Sequence, residues 1–107
     1  MDGIHFPIHV LLRQESWGEY KGWIAQCLEY DITSQGPSLE VAKERFEETL
    51  RTYIDLLCQG ELQLGTLKRA PDEYHEQYWR AAKGSSDSLE LAESTKAQGG
   101  EILLRVA

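Results

Sequence analysis

Two carboxylates stand close together near the end of an apolar run, Glu29 and Asp31 on either side of Tyr30. Side chains two residues apart on a strand point to the same face, so this pair could carry out acid–base chemistry or hold a magnesium ion. The alternative is a solvated strand end whose charges keep the sheet edge from pairing. We favour this alternative, because the sequence places no third or fourth acid beside the pair.

Other residues that could do chemistry are scattered. Of the three histidines, His5 and His9 are four residues apart on a predicted strand, which separates them by about 13 Å at about 3.3 Å per residue. Cys27 and Cys58 occur singly, without the spacing of a zinc motif, and we expect both thiols to be reduced and buried. The sequence therefore predicts no metal site, no cofactor and no catalytic set.

The overall charge restricts the partners. Eighteen acidic residues outweigh eleven basic ones and give a formal net charge of -7. That charge disfavours a nucleic-acid backbone or an anionic membrane surface and favours a basic partner. No apolar run approaches the roughly 20 residues of a membrane span, and the first residues do not resemble a signal peptide. We expect a soluble cytoplasmic protein.

The elements that must position these residues begin with strands. Apolar residues alternate from Ile4 to Leu12, with Leu11 as an exception, which predicts a strand with one buried face. A loop around Gly18 and Gly22 leads to a second strand, "WIAQCLEY", and then to a third, "DITSQ". Together the three runs predict a small antiparallel sheet.

A long amphipathic helix follows the third strand. Ser38 is a favourable N-cap, and Gly60 is a natural stop. Apolar residues recur at three- and four-residue spacing and form one stripe, which we expect to lie across the sheet. The stripe consists of Leu39, Ala42, Phe46, Leu50, Tyr53, Ile54 and Leu57.

The remaining sequence predicts a second helix, a linker and a last strand. The helix runs from Asp72 to about Lys83 and has an aromatic side suited to core or subunit contact. Residues 84–100 have the composition of a flexible linker, and residues 101–107, "EILLRVA", predict a strand that pairs with its own sheet or with a neighbouring subunit. Residues 1–83 form the predicted domain.

Part of this pattern resembles a known family. Over roughly residues 8–58, the order of the second strand, a Ser-Gln-Gly turn and the start of the long helix is similar to that of the HicB-like antitoxins. The matching residues are Trp23, Ile24, Ala25, Ser34, Gln35, Gly36, Ser38, Leu39, Glu40 and Ala42. The resemblance implies an α+β fold of order β-β-β-α-β, a partial ribonuclease H-like arrangement without the nuclease carboxylates. One long helix would pack on the sheet, and a second, C-terminal helix would follow.

The resemblance also implies a function. HicB-like proteins neutralise a small basic toxin that cleaves RNA, and the acidic balance of this chain suits such a partner. Many members carry a C-terminal DNA-binding domain, but only two basic residues lie between 96 and 107, so direct DNA binding is disfavoured and a stand-alone member is indicated. Three tryptophans and five tyrosines, together with the habit of the family, predict a homo-oligomer, either a dimer or a tetramer.

Our leading hypothesis is a non-enzymatic, antitoxin-like binding protein. The runner-up is a magnesium-dependent enzyme that processes nucleotides or nucleic acids on a ribonuclease H-like sheet, using Glu29 and Asp31. A structural oligomer of unknown role is a third hypothesis. The residues expected to contact a partner are Trp23, Glu29, Asp31, Tyr74, Tyr78 and Trp79.

Overall fold

Five strands and two helices make up the part of the chain that the structure describes. The computed structural model describes residues 4–88 and 101–107. The strands are β1 (Ile8–Trp17), β2 (Tyr20–Cys27), β3 (Thr33–Gly36), β4 (Ala82–Ser88) and β5 (Glu101–Val106), and the helices are α1 (Leu39–Cys58) and α2 (Asp72–Arg80). A single 3-10 turn, Leu64–Thr66, lies between the helices.

The strands form one mixed sheet in the order β3-β2-β1-β5-β4. The pairs β1–β2, β2–β3 and β4–β5 are antiparallel, whereas β5 runs parallel to β1. A parallel neighbour is available to β1 because the chain passes through both helices before it returns to the sheet. The predicted α+β class, with a long helix on the sheet and a short C-terminal helix, is confirmed. The last strand joins its own sheet, which answers the question left open by the sequence.

Helix α1 covers one face of the sheet. The register pairs Val10 with Cys27 and with Leu104, so the side chains of the three central strands meet in rows beneath the helix. The predicted stripe supplies the helical half of this core, which confirms the helical spacing. The buried residues of the core are Ile4, Ile8, Val10, Leu12, Ala25, Cys27, Ile32, Ala42, Phe46, Leu50, Ile54, Leu57, Ile102 and Leu104.

The start of α1 is fixed by local contacts. The Ser38 hydroxyl accepts a hydrogen bond from the Val41 backbone N–H at 3.2 Å, as expected of an N-cap. Strand β3 approaches the first turn so closely that a Cβ on Gly36 would lie 2.7 Å from Val41 Cγ1 and 2.8 Å from the Ala42 nitrogen. The glycine before the helix therefore allows the strand and helix backbones to touch.

Helix α2 packs on the opposite face of the sheet. Leu11, which broke the alternation of the first strand, is fully buried there with Leu28, Ala70 and Tyr78. Its apolar character is explained because this part of β1 is covered on both sides. The molecule is thus layered, with the sheet between α1 and α2.

Several predicted boundaries were wrong. Strand β1 starts at Ile8 and extends to Trp17, β2 ends at Cys27, and α2 ends at Arg80. Residues 82–88, assigned from sequence to the helix end and the linker, form strand β4. The free side of β5 supplies backbone partners that outweigh the weak strand propensity of "AKGSSDS". The rest of the predicted linker, 89–100, lies outside the described residues.

Candidate functional site

A histidine and a glutamate join the start of β1 to the turn after β2. The His9 backbone N–H donates to Glu29 Oε1 at 2.8 Å, and His9 Nδ1 lies 2.6 Å from Glu29 Oε2. The turn is tight, because the Cys27 N–H donates to the Ile32 carbonyl at 2.8 Å. Both oxygens of the Glu29 carboxylate therefore bind His9, Oε1 at its backbone and Oε2 at its ring.

The imidazole of His9 contacts two aromatic residues at the end of α2. Its ring centre lies 5.4 Å from that of Tyr78, edge to face, and 5.5 Å from that of Trp79. The Tyr78 and Trp79 rings are themselves 5.1 Å apart at 83°. Such edge-to-face pairs each contribute about 0.5–1.5 kcal/mol beyond simple burial. The three rings consequently support one another.

An arginine of β5 completes this group. The Arg105 guanidinium carbon lies 4.7 Å from the Tyr78 ring centre and 4.9 Å from that of Trp79, and its Nη1 donates to the Tyr78 carbonyl at 3.2 Å. The Tyr78 hydroxyl donates in return to the Leu103 carbonyl at 3.1 Å. Burial raises the pKa of Tyr78, so the hydroxyl keeps its proton for this bond at neutral pH. Strand β5 thereby holds the C-terminal end of α2.

We call the group formed by His9, Glu29, Tyr78, Trp79 and Arg105 the α2 surface. Trp79 is its most accessible member, with 59% of its area exposed. Four acids, Glu29, Asp72, Glu73 and Glu76, stand near it against three cations, Arg69, Arg80 and Arg105. Asp72 pairs with Arg69 and Glu76 pairs with Arg80, each at 3.3 Å. The α2 surface is therefore an aromatic centre among acids that are mostly paired.

The two carboxylates singled out from the sequence do not act as a pair. Asp31 accepts a hydrogen bond from Gln26 Nε2 at 2.8 Å and has a left-handed backbone with φ 52°, whereas Glu29 is bound to His9. Strand β2 ends at Cys27, so the alternation that aligned the two acids does not extend to them. Within residues 4–88 and 101–107, no group of three or more His, Cys, Asp or Glu side chains could hold a metal ion. No contact of the described residues favours the magnesium-dependent alternative.

The nearest thiol is a structural group. Cys27 is fully buried and donates to Glu29 Oε1 at 3.8 Å. Burial, chiefly through desolvation of the thiolate, raises the pKa of Cys27 to about 12. The thiol therefore stays protonated at neutral pH and is a poor nucleophile. Cys58, at the end of α1, is exposed, so the prediction that both cysteines are buried was wrong for this residue.

The structure brings together three of the six residues expected to bind a partner: Glu29, Tyr78 and Trp79. Tyr74 lies nearby on α2, with the Arg13 guanidinium 4.7 Å above its ring. Asp31 faces Gln26 beside it. Trp23 does not belong to the group, because it is half-buried against the core under α1. Trp23 is therefore a packing residue on the opposite face of the sheet.

Sequence reasoning missed two members of the α2 surface. His9 was set aside because it could not share a metal with His5, although its position off the apolar face of β1 indicated contact with something other than α1. Arg105 is the one cation in "EILLRVA", an apolar run in which a charged residue signals a specific partner. Both signals were present, but only the parallel pairing of β5 with β1 shows that they converge.

Comparison with known proteins adds no assignment. No protein-family model, no curated protein and no solved structure matches the chain. The resemblance to the HicB-like antitoxins thus depends on the residues quoted for it and stays a prediction. Among the described residues, neither helix is both long and apolar enough to cross a membrane.

Proposed function

We propose that this chain is a non-enzymatic, HicB-like antitoxin-type protein that forms homo-oligomers and neutralises a small basic toxin that cleaves RNA. Trp79 lies at the centre of the surface that contacts the toxin. The observation that carries this proposal is the state of Trp79, which is 59% exposed and yet is contacted by His9, Tyr78 and Arg105.

A tryptophan held in this way is well suited to binding. Tryptophan and arginine are the residue types that most often dominate the binding energy of protein interfaces. The neighbouring rings and the Arg105 guanidinium already restrict the Trp79 side chain, so little rotamer entropy is left to lose when a partner covers it. The exposed ring can bury a large apolar area at the centre of a contact.

The charges around Trp79 indicate what kind of partner would meet it. The whole chain carries a net charge of -7, and near the α2 surface the acids Glu29, Asp72, Glu73 and Glu76 outnumber the cations Arg69, Arg80 and Arg105 by one. A protein that cleaves RNA must carry cationic groups to hold the phosphate backbone. An acidic surface attracts those groups, accelerates association and covers the groups that would otherwise bind RNA.

The test is co-expression with the product of the adjacent reading frame. We expect that product to be small and basic, to arrest growth when expressed alone, and to co-purify with this protein when growth is rescued. In the variant Trp79→Ala the dissociation constant of the complex should rise by about a hundredfold, because the central side chain is lost. Rescue of growth should fail in parallel.

Trp17→Ala is the matched control. It removes the same side chain from a position that is also exposed but lies at the tip of the β1–β2 hairpin. Toxin binding and growth rescue should be unchanged in this variant. The proposal is wrong if the neighbouring product is neither basic nor retained, or if both tryptophan variants bind it as the native protein does.

A further inference from the structure

A second exposed surface lies on the same side of the sheet as α2. The register pairs Trp17 with Tyr20, Arg13 with Ile24, and Ile24 with Gln35, so these side chains share one face. The face they share is the one on which α2 packs, because Leu11 belongs to the same alternating row of β1. We call the part formed by Trp17, Tyr20, Ile24, Thr33 and Gln35 the hairpin face.

The tip of the hairpin carries the aromatic half of this face. Trp17 is 41% and Tyr20 46% exposed, and their ring centres are 5.5 Å apart with the planes 32° from each other. Tyr20 lies against Gly22, where a Cβ would come within 2.7 Å of Tyr20 Cε1. The glycine lets the tyrosine ring rest on the strand beside Trp17, which makes one broad aromatic plate.

The other half of the hairpin face is an open groove. Arg13, Ile24, Thr33, Ser34 and Gln35 line it, with Ile24 half-buried and Thr33 and Gln35 exposed. The Arg13 side chain is already engaged, because it binds Glu15, contacts the Gln26 amide oxygen at 3.4 Å and lies over Tyr74. The groove is therefore a partly apolar depression with an ordered wall, and it lies a few residues from the aromatic plate.

The hairpin has no net charge. Between residues 13 and 24, Arg13 and Lys21 balance Glu15 and Glu19, although the whole chain carries -7. Two copies of such an acidic chain repel one another, and this repulsion is weakest where the local charges cancel. Charge balance therefore makes the hairpin face compatible with a second copy of the chain.

We propose that two copies of this chain dock through their hairpin faces about a two-fold axis. The Trp17–Tyr20 plate of each copy covers the groove around Ile24 of the other, which satisfies the requirement that a two-fold interface be complementary to itself. Trp17 and Arg13 are four residues apart on β1, about 13 Å, so plate and groove lie side by side and can interlock reciprocally. Glu19 and Lys21 flank the plate and can pair across the axis. The hairpin face would then be the site of the homo-oligomerisation that the proposed function includes. The α2 surface would remain free for the toxin.

Analytical ultracentrifugation over a range of protein concentrations tests this. The native protein should sediment with twice the mass of the 12.2 kDa chain. The double variant Trp17→Ser/Tyr20→Ser should raise the dimer dissociation constant by about a hundredfold and sediment as a monomer. Both side chains are exposed, so circular dichroism should report an unchanged fold. A second variant, Ile24→Glu, places a charge in the groove of each copy and should also give a monomer.

Trp79→Ala serves as the control, because it should keep the dimer intact. The inference is overturned if the native chain is a monomer at every concentration, if the double variant and Ile24→Glu both remain dimers, or if Trp79→Ala dissociates the dimer instead. Failure of the antitoxin proposal would appear separately, as loss of toxin binding with the dimer unchanged.

Discussion

The α2 surface and the hairpin face each expose a tryptophan on the same side of one sheet, but their surroundings differ. Trp79 is contacted by an imidazole, a phenol and a guanidinium at the end of α2, whereas Trp17 lies beside Tyr20 at the tip of the hairpin. An exposed aromatic side chain by itself says only that a contact is favourable. The two proposals therefore assign different partners to the two tryptophans, a basic toxin to Trp79 and a second copy of this chain to Trp17.

The largest effect that separates the two regions should come from Leu11→Ala. Leu11 is fully buried between the sheet and α2, next to Leu28, Ala70 and Tyr78. Truncation should lower the free energy of unfolding by about 2–5 kcal/mol, because a cavity remains under the helix. Urea unfolding measures that loss. Because α2 loses packing contacts with the sheet, toxin binding should weaken as well. The folded protein should still dimerise.

Ile24→Ala is the complementary variant. Ile24 is only half-buried, so the loss of stability should stay near 1 kcal/mol. Dimerisation should weaken and toxin binding should be unchanged. If Leu11→Ala impairs the dimer and Ile24→Ala impairs toxin binding, the division of labour between the two surfaces is reversed.

Salt should act on the two contacts in opposite directions. Raising the ionic strength from about 0.05 M to about 0.5 M screens the attraction between an acidic surface and a basic toxin, so that complex should weaken by about tenfold. The same screening reduces the repulsion between two chains of charge -7, so the dimer should become tighter. Titration calorimetry and sedimentation measure the two trends. If both dissociation constants change in the same direction with salt, the two contacts do not differ in their electrostatics as proposed.

The smallest effect concerns Cys27, which lies beneath Glu29. Its thiol has a pKa of about 12 in the folded chain against 9.0 for an unburied thiol. Because folding raises the pKa of this thiol, the buried, protonated form stabilises the folded state fully below about pH 9, the pKa in the unfolded chain. This contribution to the unfolding free energy is lost as the pH rises from about 9 to 12. Relative to Cys27→Ala, the native protein should lose roughly 1 kcal/mol of unfolding free energy by pH 10, measured by urea titration.

Cys58→Ala is the control for this pH dependence, because Cys58 is exposed and its removal should leave the slope unchanged. Neither cysteine should affect dimerisation. Thiol labelling at pH 8 should modify Cys58 rapidly and Cys27 only after unfolding. Rapid labelling of Cys27 in the folded protein would contradict its burial.

Local patterns were sufficient for the half of the fold that contains α1. The Ser38 cap and the apolar stripe from Ala42 to Leu57 are properties of neighbouring residues, and the structure confirms them. Strand β4 could not be predicted in this way, because its small polar residues pair only once β5 is in place. The burial of Leu11 likewise depends on α2, which is 60 residues further along the chain.

The candidate site shows the same division. Tyr78 and Trp79 were recognised because aromatic residues recur on one side of a short helix. Their contacts with His9 and Arg105 could not be derived, since they depend on the parallel register of β1 and β5. The hairpin face was missed because β1 was expected to end at Leu12, whereas the strand continues through Arg13 to Trp17. An error of five residues at one strand end thus concealed a whole surface.

Strand β5 is synthesised after every other described element, yet it occupies an interior position between β1 and β4. While the ribosome is still making the preceding residues, one side of β1 therefore has unpaired backbone groups and invites association with other nascent chains. Because Arg105 fixes the end of α2, the α2 surface is complete only after β5 has paired with β1. Under the proposed function, a newly made chain would therefore neutralise a toxin only after β5 has paired with β1.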